Sequence, residues 1–112
     1  MPQDQTEAIA FLRSPEAHGG RGPVEVCETH GALVFLAGDT ALKIKRAVRY
    51  DYMDLSSLER RETMLRRELE LNRPAAPMIY RDVLPVTREV DGSLALGGEG
   101  PPVEWVLRMW RF

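Results

Sequence analysis

The sequence predicts an α+β fold in which a five-stranded antiparallel sheet is packed by one long helix, with a short helix before them. Two observations support this prediction. Several short segments between residues 24 and 112 alternate apolar and polar side chains or form short apolar runs, as strands do. A single longer stretch, residues 57–72, contains no glycine or proline and is rich in helix-forming side chains.

The N-terminal part of the chain predicts a helix and a linker. Residues 4–14 have a weakly amphipathic pattern typical of a short helix, and residues 15–23 are rich in glycine and proline, as in flexible connectors. We therefore expect residues 1–23 to form a helix and linker, and residues 24–112 to form the folded domain.

The domain should begin with three strands in a meander. Two strands are expected before the turn Gly38-Asp39, and a third after it. In that third strand, Lys43 and Lys45 share one face because successive side chains alternate between the faces of a sheet. They are the only lysines among 15 basic residues. All the other basic residues are arginine. Either codon usage or a need for a compact ammonium group at positions 43 and 45 would explain this preference for arginine elsewhere.

The long helix should follow, and then the last strands. Ser56 and Glu59 have the spacing of a capping box, so the helix is expected over residues 57–72. Residues 78–90 and 103–112 are strand-like, and between them a hairpin turn at Asp91-Gly92 is followed by a short return strand, SLAL.

Composition excludes several classes of protein. The chain has 112 residues, 44% hydrophobic and 29% charged, which suits one globular domain. A net charge of −2 argues against electrostatic capture of nucleic acid, and no apolar run approaches the roughly 20 residues of a membrane span. The N-terminus lacks the features of a signal peptide, so a cytoplasmic protein is expected. Cys27, the single cysteine, has no partner for an internal disulfide, and no metal site is predicted.

One carboxylate of the long helix needs a partner. A helical projection places Glu68 between two groups of apolar side chains, so that it points towards the sheet. An ionised carboxylate in such surroundings is unfavourable by several kcal/mol unless it is paired. Lys43 and Lys45 are candidate partners from the sheet. Arg61, on the same helix face, is the rival that would make the pair purely structural.

This order of elements resembles the small lobe of protein-kinase-like phosphotransferases, in which a lysine on the third strand and a glutamate on the helix act together. Five motifs extend the resemblance to the bacterial aminoglycoside-phosphotransferase-like family, whose members often carry a fused C-terminal P-loop ATPase domain. They occur in the family's order: a GD turn, an LKIK strand, DYMDLSSLE, ELELNR followed by PAAP, and VLPV. The similarity covers residues 28–112 and implies an ATP-binding small lobe.

Carried over to this sequence, the resemblance makes Lys43 the lysine that holds the ATP phosphates and Glu68 the residue that orients it. Lys45, on the same face, is the alternative to Lys43. His30 and Gly31, in the turn between the first two strands, would lie near the nucleotide, although a solvent-exposed histidine is the simpler interpretation.

The resemblance also assigns the end of the chain. Residues 108–111 would begin the hinge whose backbone groups bind the adenine base, with Met109 and Trp110 beside the base. Such residues also serve as ordinary core in small domains.

Two departures from the kinase pattern matter. The turn between the first two strands contains a single glycine, Gly31, and no GxGxxG motif. Aminoglycoside phosphotransferases generally lack this motif too. No HxD catalytic loop and no DFG-like metal site follow in this sequence, so Mg²⁺ would be held only by a large lobe, and the 112-residue chain alone should be inactive. The alternative is a non-catalytic interaction module that dimerises or binds a partner protein through the exposed hinge edge.

Overall fold

A computed structural model describes residues 4–20, 22–51 and 53–111. The predicted boundaries at residues 1 and 112 fall outside these ranges. The elements follow the order α1 (Thr6–Arg13), a 3₁₀ turn (Pro15–His18), β1 (Glu25–Thr29), β2 (Ala32–Ala37), β3 (Thr40–Lys45), β4 (Arg49–Tyr50), β5 (Met53–Asp54), α2 (Leu58–Asn72), β6 (Tyr80–Arg88), β7 (Leu94–Leu96) and β8 (Pro102–Trp110).

The α+β prediction is confirmed, but the main sheet has six strands rather than five. Its order is β1-β2-β3-β8-β6-β7, all pairs are antiparallel, and β4 and β5 form a separate two-residue ribbon. The count of five was too low because the return segment β7 pairs with β6 and so joins the same sheet.

The last strand, β8, is central to the sheet. It pairs with β3 through residues 107–110 and with β6 along most of its length. A central strand that is covered on both faces of the sheet should carry apolar side chains on both faces. The buried side chains of Val106 and Leu107 in β8 agree with this. This position brings the end of the chain beside the lysine-bearing strand β3.

Each face of the sheet has its own core. On one face, α2 contributes Leu65, which packs with Ala41, Val83, Leu107 and Met109. On the other face, α1 and the 3₁₀ turn contribute Leu12 and Ala17 to a cluster completed by the following side chains: Phe35, Leu42, Ile44, Val86 and Val106. Within the predicted linker, the 3₁₀ turn is therefore packed against the sheet.

The start of α2 differs by one residue from the predicted capping box. Ser57, not Ser56, is the N-cap, and its side chain accepts a hydrogen bond from the Arg60 amide at 3.2 Å. Ser56 instead donates its hydroxyl to Asp54 Oδ1 at 2.6 Å, and its amide donates to the same oxygen at 2.9 Å. Asp54 is thus a loop carboxylate that shapes the approach to the helix.

Among the described residues, no helix is long and apolar enough to cross a membrane.

Candidate functional site

Glu68 of α2 lies between the two lysines of β3. Its Oε2 is 2.8 Å from Lys43 Nζ, and its Oε1 is 3.1 Å from Lys45 Nζ. Each lysine therefore contacts a different oxygen of one carboxylate. We call Lys43, Lys45 and Glu68 the two-lysine cluster.

Strand alternation and helix phase together create this cluster. Lys43 and Lys45 are two residues apart on β3 and so project from the same face. On α2, Leu65 is buried against that face, and the next turn of the helix carries Glu68 to the same side. The sequence-based prediction that Glu68 points towards the sheet and meets a lysine agrees with this geometry.

The charges in the cluster do not balance locally. Two ammonium groups share one carboxylate, and all three side chains keep contact with solvent, with exposed fractions of 22% for Lys43, 15% for Lys45 and 19% for Glu68. Partial burial disfavours the charged carboxylate, but the hydrogen bond and charge of Lys43, together with Lys45, outweigh it and hold the pKa of Glu68 below its ordinary value. The three side chains together carry a formal net charge of +1.

An apolar surface lies next to the lysines on the same face of the sheet. Leu36 is opposite Ala41, Met109 is opposite Ala41 on its other side, and Val34 is opposite Lys43. Residues directly opposite one another in antiparallel strands share a face. Ala41 and Met109 are only 2% and 7% exposed because they pack against Leu65 of α2, whereas Val34 and Leu36 are half-buried. We call Val34 and Leu36 the apolar shelf, which a flat aromatic base could partly cover.

Trp110, predicted to lie with Met109 beside the base, is on the other face of the sheet. It is opposite Thr40, its side chain is 41% exposed, and the Arg81 guanidinium lies 3.8 Å from its ring centroid. Strand alternation separates Met109 from Trp110, because they are neighbours in β8. Only Met109 shares the face of the two-lysine cluster.

The first hairpin turn lies at the Lys45 end of β3. Gly31 has a φ of 77°, a conformation that favours glycine, and its carbonyl accepts a hydrogen bond from the Arg46 amide at 2.8 Å. Gly31 is buried and His30 is exposed. The turn that was predicted to lie near the nucleotide is therefore linked through its backbone to Arg46, which immediately follows Lys45.

The predicted hinge has few free amides. The Trp110 amide donates to Ile79 O at 2.8 Å, and the Arg111 amide donates to Asp39 O at 2.7 Å. Backbone contacts to a base from this segment would have to come from carbonyl oxygens or from residues beyond Arg111.

Arg61, the rival partner of Glu68, forms a buried ion pair elsewhere. Its Nε lies 3.0 Å from Glu104 Oε2, its Nη1 donates to Leu55 O at 3.0 Å, and the side chains of Arg61 and Glu104 are 1% and 0% exposed. Gln5 completes the group by donating its Nε2 to Glu104 Oε1 at 2.7 Å. Sequence reasoning missed Glu104, although a lone carboxylate within an apolar strand signals such a buried partner.

One cavity among the described residues lies away from the cluster. It has a volume of about 350 Å³ and is on the opposite face of the sheet, where His18, Thr40, Arg81, Arg108 and Trp110 contribute to its walls. The chemistry of the two-lysine cluster, rather than cavity size, therefore marks the candidate site. In the ranges that the structure describes, no group of three or more His, Cys, Asp or Glu side chains could hold a metal ion.

Comparison with known proteins finds relatives without assigned function. No family model and no solved structure matches the chain. Over 88 residues, or 79% of its length, the chain is 41% identical to proteins described as uncharacterized from Mycobacterium bovis and from two strains of Mycobacterium tuberculosis. The chain spans about 16% of the length of these relatives.

Proposed function

We propose that this chain is the ATP-binding small lobe of an aminoglycoside-phosphotransferase-like kinase and acts within a longer protein. The observation that carries the proposal is the two-lysine cluster, in which Glu68 contacts Lys43 at 2.8 Å and Lys45 at 3.1 Å. The motif order described above supports the same family.

The cluster has the properties that a phosphate-binding site requires. A lysine ammonium is a compact charge with three donors, so Lys43 can contact Glu68 and a phosphate oxygen at the same time. Glu68 would restrict the lysine to one orientation, which makes it a positioning residue. Partial exposure of the three side chains leaves them accessible to a ligand.

The apolar shelf supplies the second part of a nucleotide site. Adenine is flat and apolar on its faces, and the half-buried Val34 and Leu36 offer an apolar surface beside Lys43. Pocket-like sites for cofactors commonly combine such an apolar wall with a few charged groups that fix orientation.

In this proposal, the reaction is phosphoryl transfer from ATP to a hydroxyl group of a small molecule. This chain would position ATP, and the base, the Mg²⁺ ligands and the acceptor site would come from other parts of the longer protein. Turnover is therefore not expected from the 112-residue chain. We also propose a cytoplasmic location, where ATP is available.

Thermal unfolding of the 112-residue chain with and without ATP tests the proposal. ATP should raise the midpoint by several degrees when its concentration greatly exceeds the dissociation constant, and Lys43→Met should abolish the shift. Arg46→Met is the matched control. It removes one exposed cation immediately after β3, where Arg46 pairs with Glu28. The proposal fails if millimolar ATP gives no shift, or if Lys43→Met and the control respond alike.

The alternative, a non-catalytic interaction module, is favoured by exposed apolar side chains. Trp110 is 41%, Leu71 70% and Met78 84% exposed. Exposed apolar surface often marks contacts with other proteins or with a second copy. Sedimentation equilibrium over a range of protein concentrations would support this function if it showed a dimer whose formation does not depend on ATP.

A further inference from the structure

We propose that β3 distinguishes nucleotides by the length of their phosphate chain, with Lys43 binding the phosphates nearer the base and Lys45 binding the terminal phosphate of a nucleoside triphosphate. This inference rests on the proposed function, and it gives the second lysine a role of its own. Lys45 would be the residue that selects ATP over ADP.

The order of residues along β3 carries the first step. Leu36 of the apolar shelf is opposite Ala41, Val34 is opposite Lys43, and Lys45 follows on the same face of β3. Side chains two residues apart in a strand are separated by roughly 7 Å. A nucleotide with its base on the shelf and its phosphates along the strand would therefore meet Lys43 first and Lys45 second.

The position of Lys45 supports the second step. Lys45 is opposite Ala32, next to the first hairpin turn, whereas Lys43 is opposite Leu107 in the centre of the sheet. Lys45 is thus the member of the pair that is farther from the shelf. A diphosphate held at Lys43 need not extend to it.

Charge gives the third step. Glu68 can neutralise one lysine, yet it contacts both, and Lys45 is only 15% exposed. A second partly buried ammonium is unfavourable for a purely structural ion pair, because each desolvated charge needs compensation. A terminal phosphate would supply it, since each lysine has three donors and Glu68 occupies only some of them.

The test compares AMP, ADP, ATP and inorganic tripolyphosphate binding to the 112-residue chain by calorimetry in the presence of a metal chelator. We expect the wild type to bind ATP about tenfold more tightly than ADP, the gain typical of one added charge-assisted hydrogen bond. Lys45→Met should bring the ATP-to-ADP affinity ratio close to one and leave ADP affinity nearly unchanged. Lys43→Met should weaken both nucleotides, and Arg46→Met should change neither.

The outcomes separate this inference from the proposed function. If the wild type binds none of these ligands, the proposed function fails, and this inference fails with it. If the wild type binds ADP and ATP equally, or if Lys45→Met keeps the preference for ATP, nucleotide binding stands and the role of Lys45 is overturned. If Lys45→Met does not fold, the ADP and ATP affinities of the wild type still test the inference. Lys45→Arg, which keeps the charge, should retain the preference for ATP over ADP.

Discussion

Lys43 and Glu68 are 25 residues apart in sequence, and their side chains meet at 2.8 Å between β3 and α2. The contact joins the helix to the strand at the point where Lys45 shares the same carboxylate. Glu68 therefore both holds α2 against β3 and balances part of the charge of the two lysines. A substitution at Glu68 should affect both the stability of the fold and ligand binding.

Replacement of Glu68 should destabilise the fold moderately. Glu68→Gln leaves two ammonium groups without their shared carboxylate, and the free energy of unfolding should fall by about 1 kcal/mol, since the group is partly exposed. Urea unfolding measures the change. Glu62→Gln is the control, because the exposed Glu62–Arg66 pair on the same helix should contribute less than about 0.5 kcal/mol. Equal effects of the two substitutions would contradict this interpretation.

The contribution of Glu68 should depend on pH in a defined direction. Its pKa is below the ordinary value of 4.5, so the ionised carboxylate stabilises the fold above that pH, and the stabilisation is lost as the pH falls through the folded-state pKa. The stability difference between wild type and Glu68→Gln should be constant near neutral pH and should shrink below about pH 4.5. Urea titrations at a series of pH values test this, and a difference that grows on acidification would contradict it.

The buried pair Arg61–Glu104 should be far more sensitive to substitution. Glu104→Ala leaves the Arg61 charge almost completely excluded from solvent, and we expect a loss of about 3–5 kcal/mol in the free energy of unfolding. Replacing both residues with methionine should recover much of this loss, because no buried charge then remains. Denaturant unfolding of the single and double variants measures the difference. A double variant as unstable as Glu104→Ala would show that the pair itself, rather than an uncompensated charge, matters.

Helix capping gives a prediction that separates two adjacent serines. Ser57→Ala removes the side chain that accepts from the Arg60 amide and should lower stability by about 1 kcal/mol. Ser56 is the matched control, because its hydroxyl bonds to Asp54 in the preceding loop. Chemical denaturation of both variants distinguishes them, and a larger loss for Ser56→Ala would favour the capping box expected from sequence.

Local patterns predicted much of the fold. Strand alternation placed Lys43 and Lys45 on one face of β3, and the helical period pointed Glu68 towards the sheet, because both periods follow from backbone geometry. The same patterns predicted β7 as the return strand of a hairpin but did not count it in the sheet, since only its hydrogen bonds to β6 decide whether so short a strand belongs there. The N-cap was misplaced by one residue because Ser56 and Ser57 are both good caps in sequence.

The sequence by itself determined which side chains share a face and which of them need a partner, because these properties depend on short-range periodicity and on the free energy of burying a charge. Only the tertiary structure decided how the partners are distributed: Glu68 to both lysines, and Arg61 to Glu104. Strand alternation separates Met109 from Trp110, but only the pairing of β8 with β3 decided that Met109 is the one on the face of the two lysines. Such choices depend on the register and packing of segments far apart in the chain, where several pairings satisfy the same local rules and only the complete set of contacts selects one.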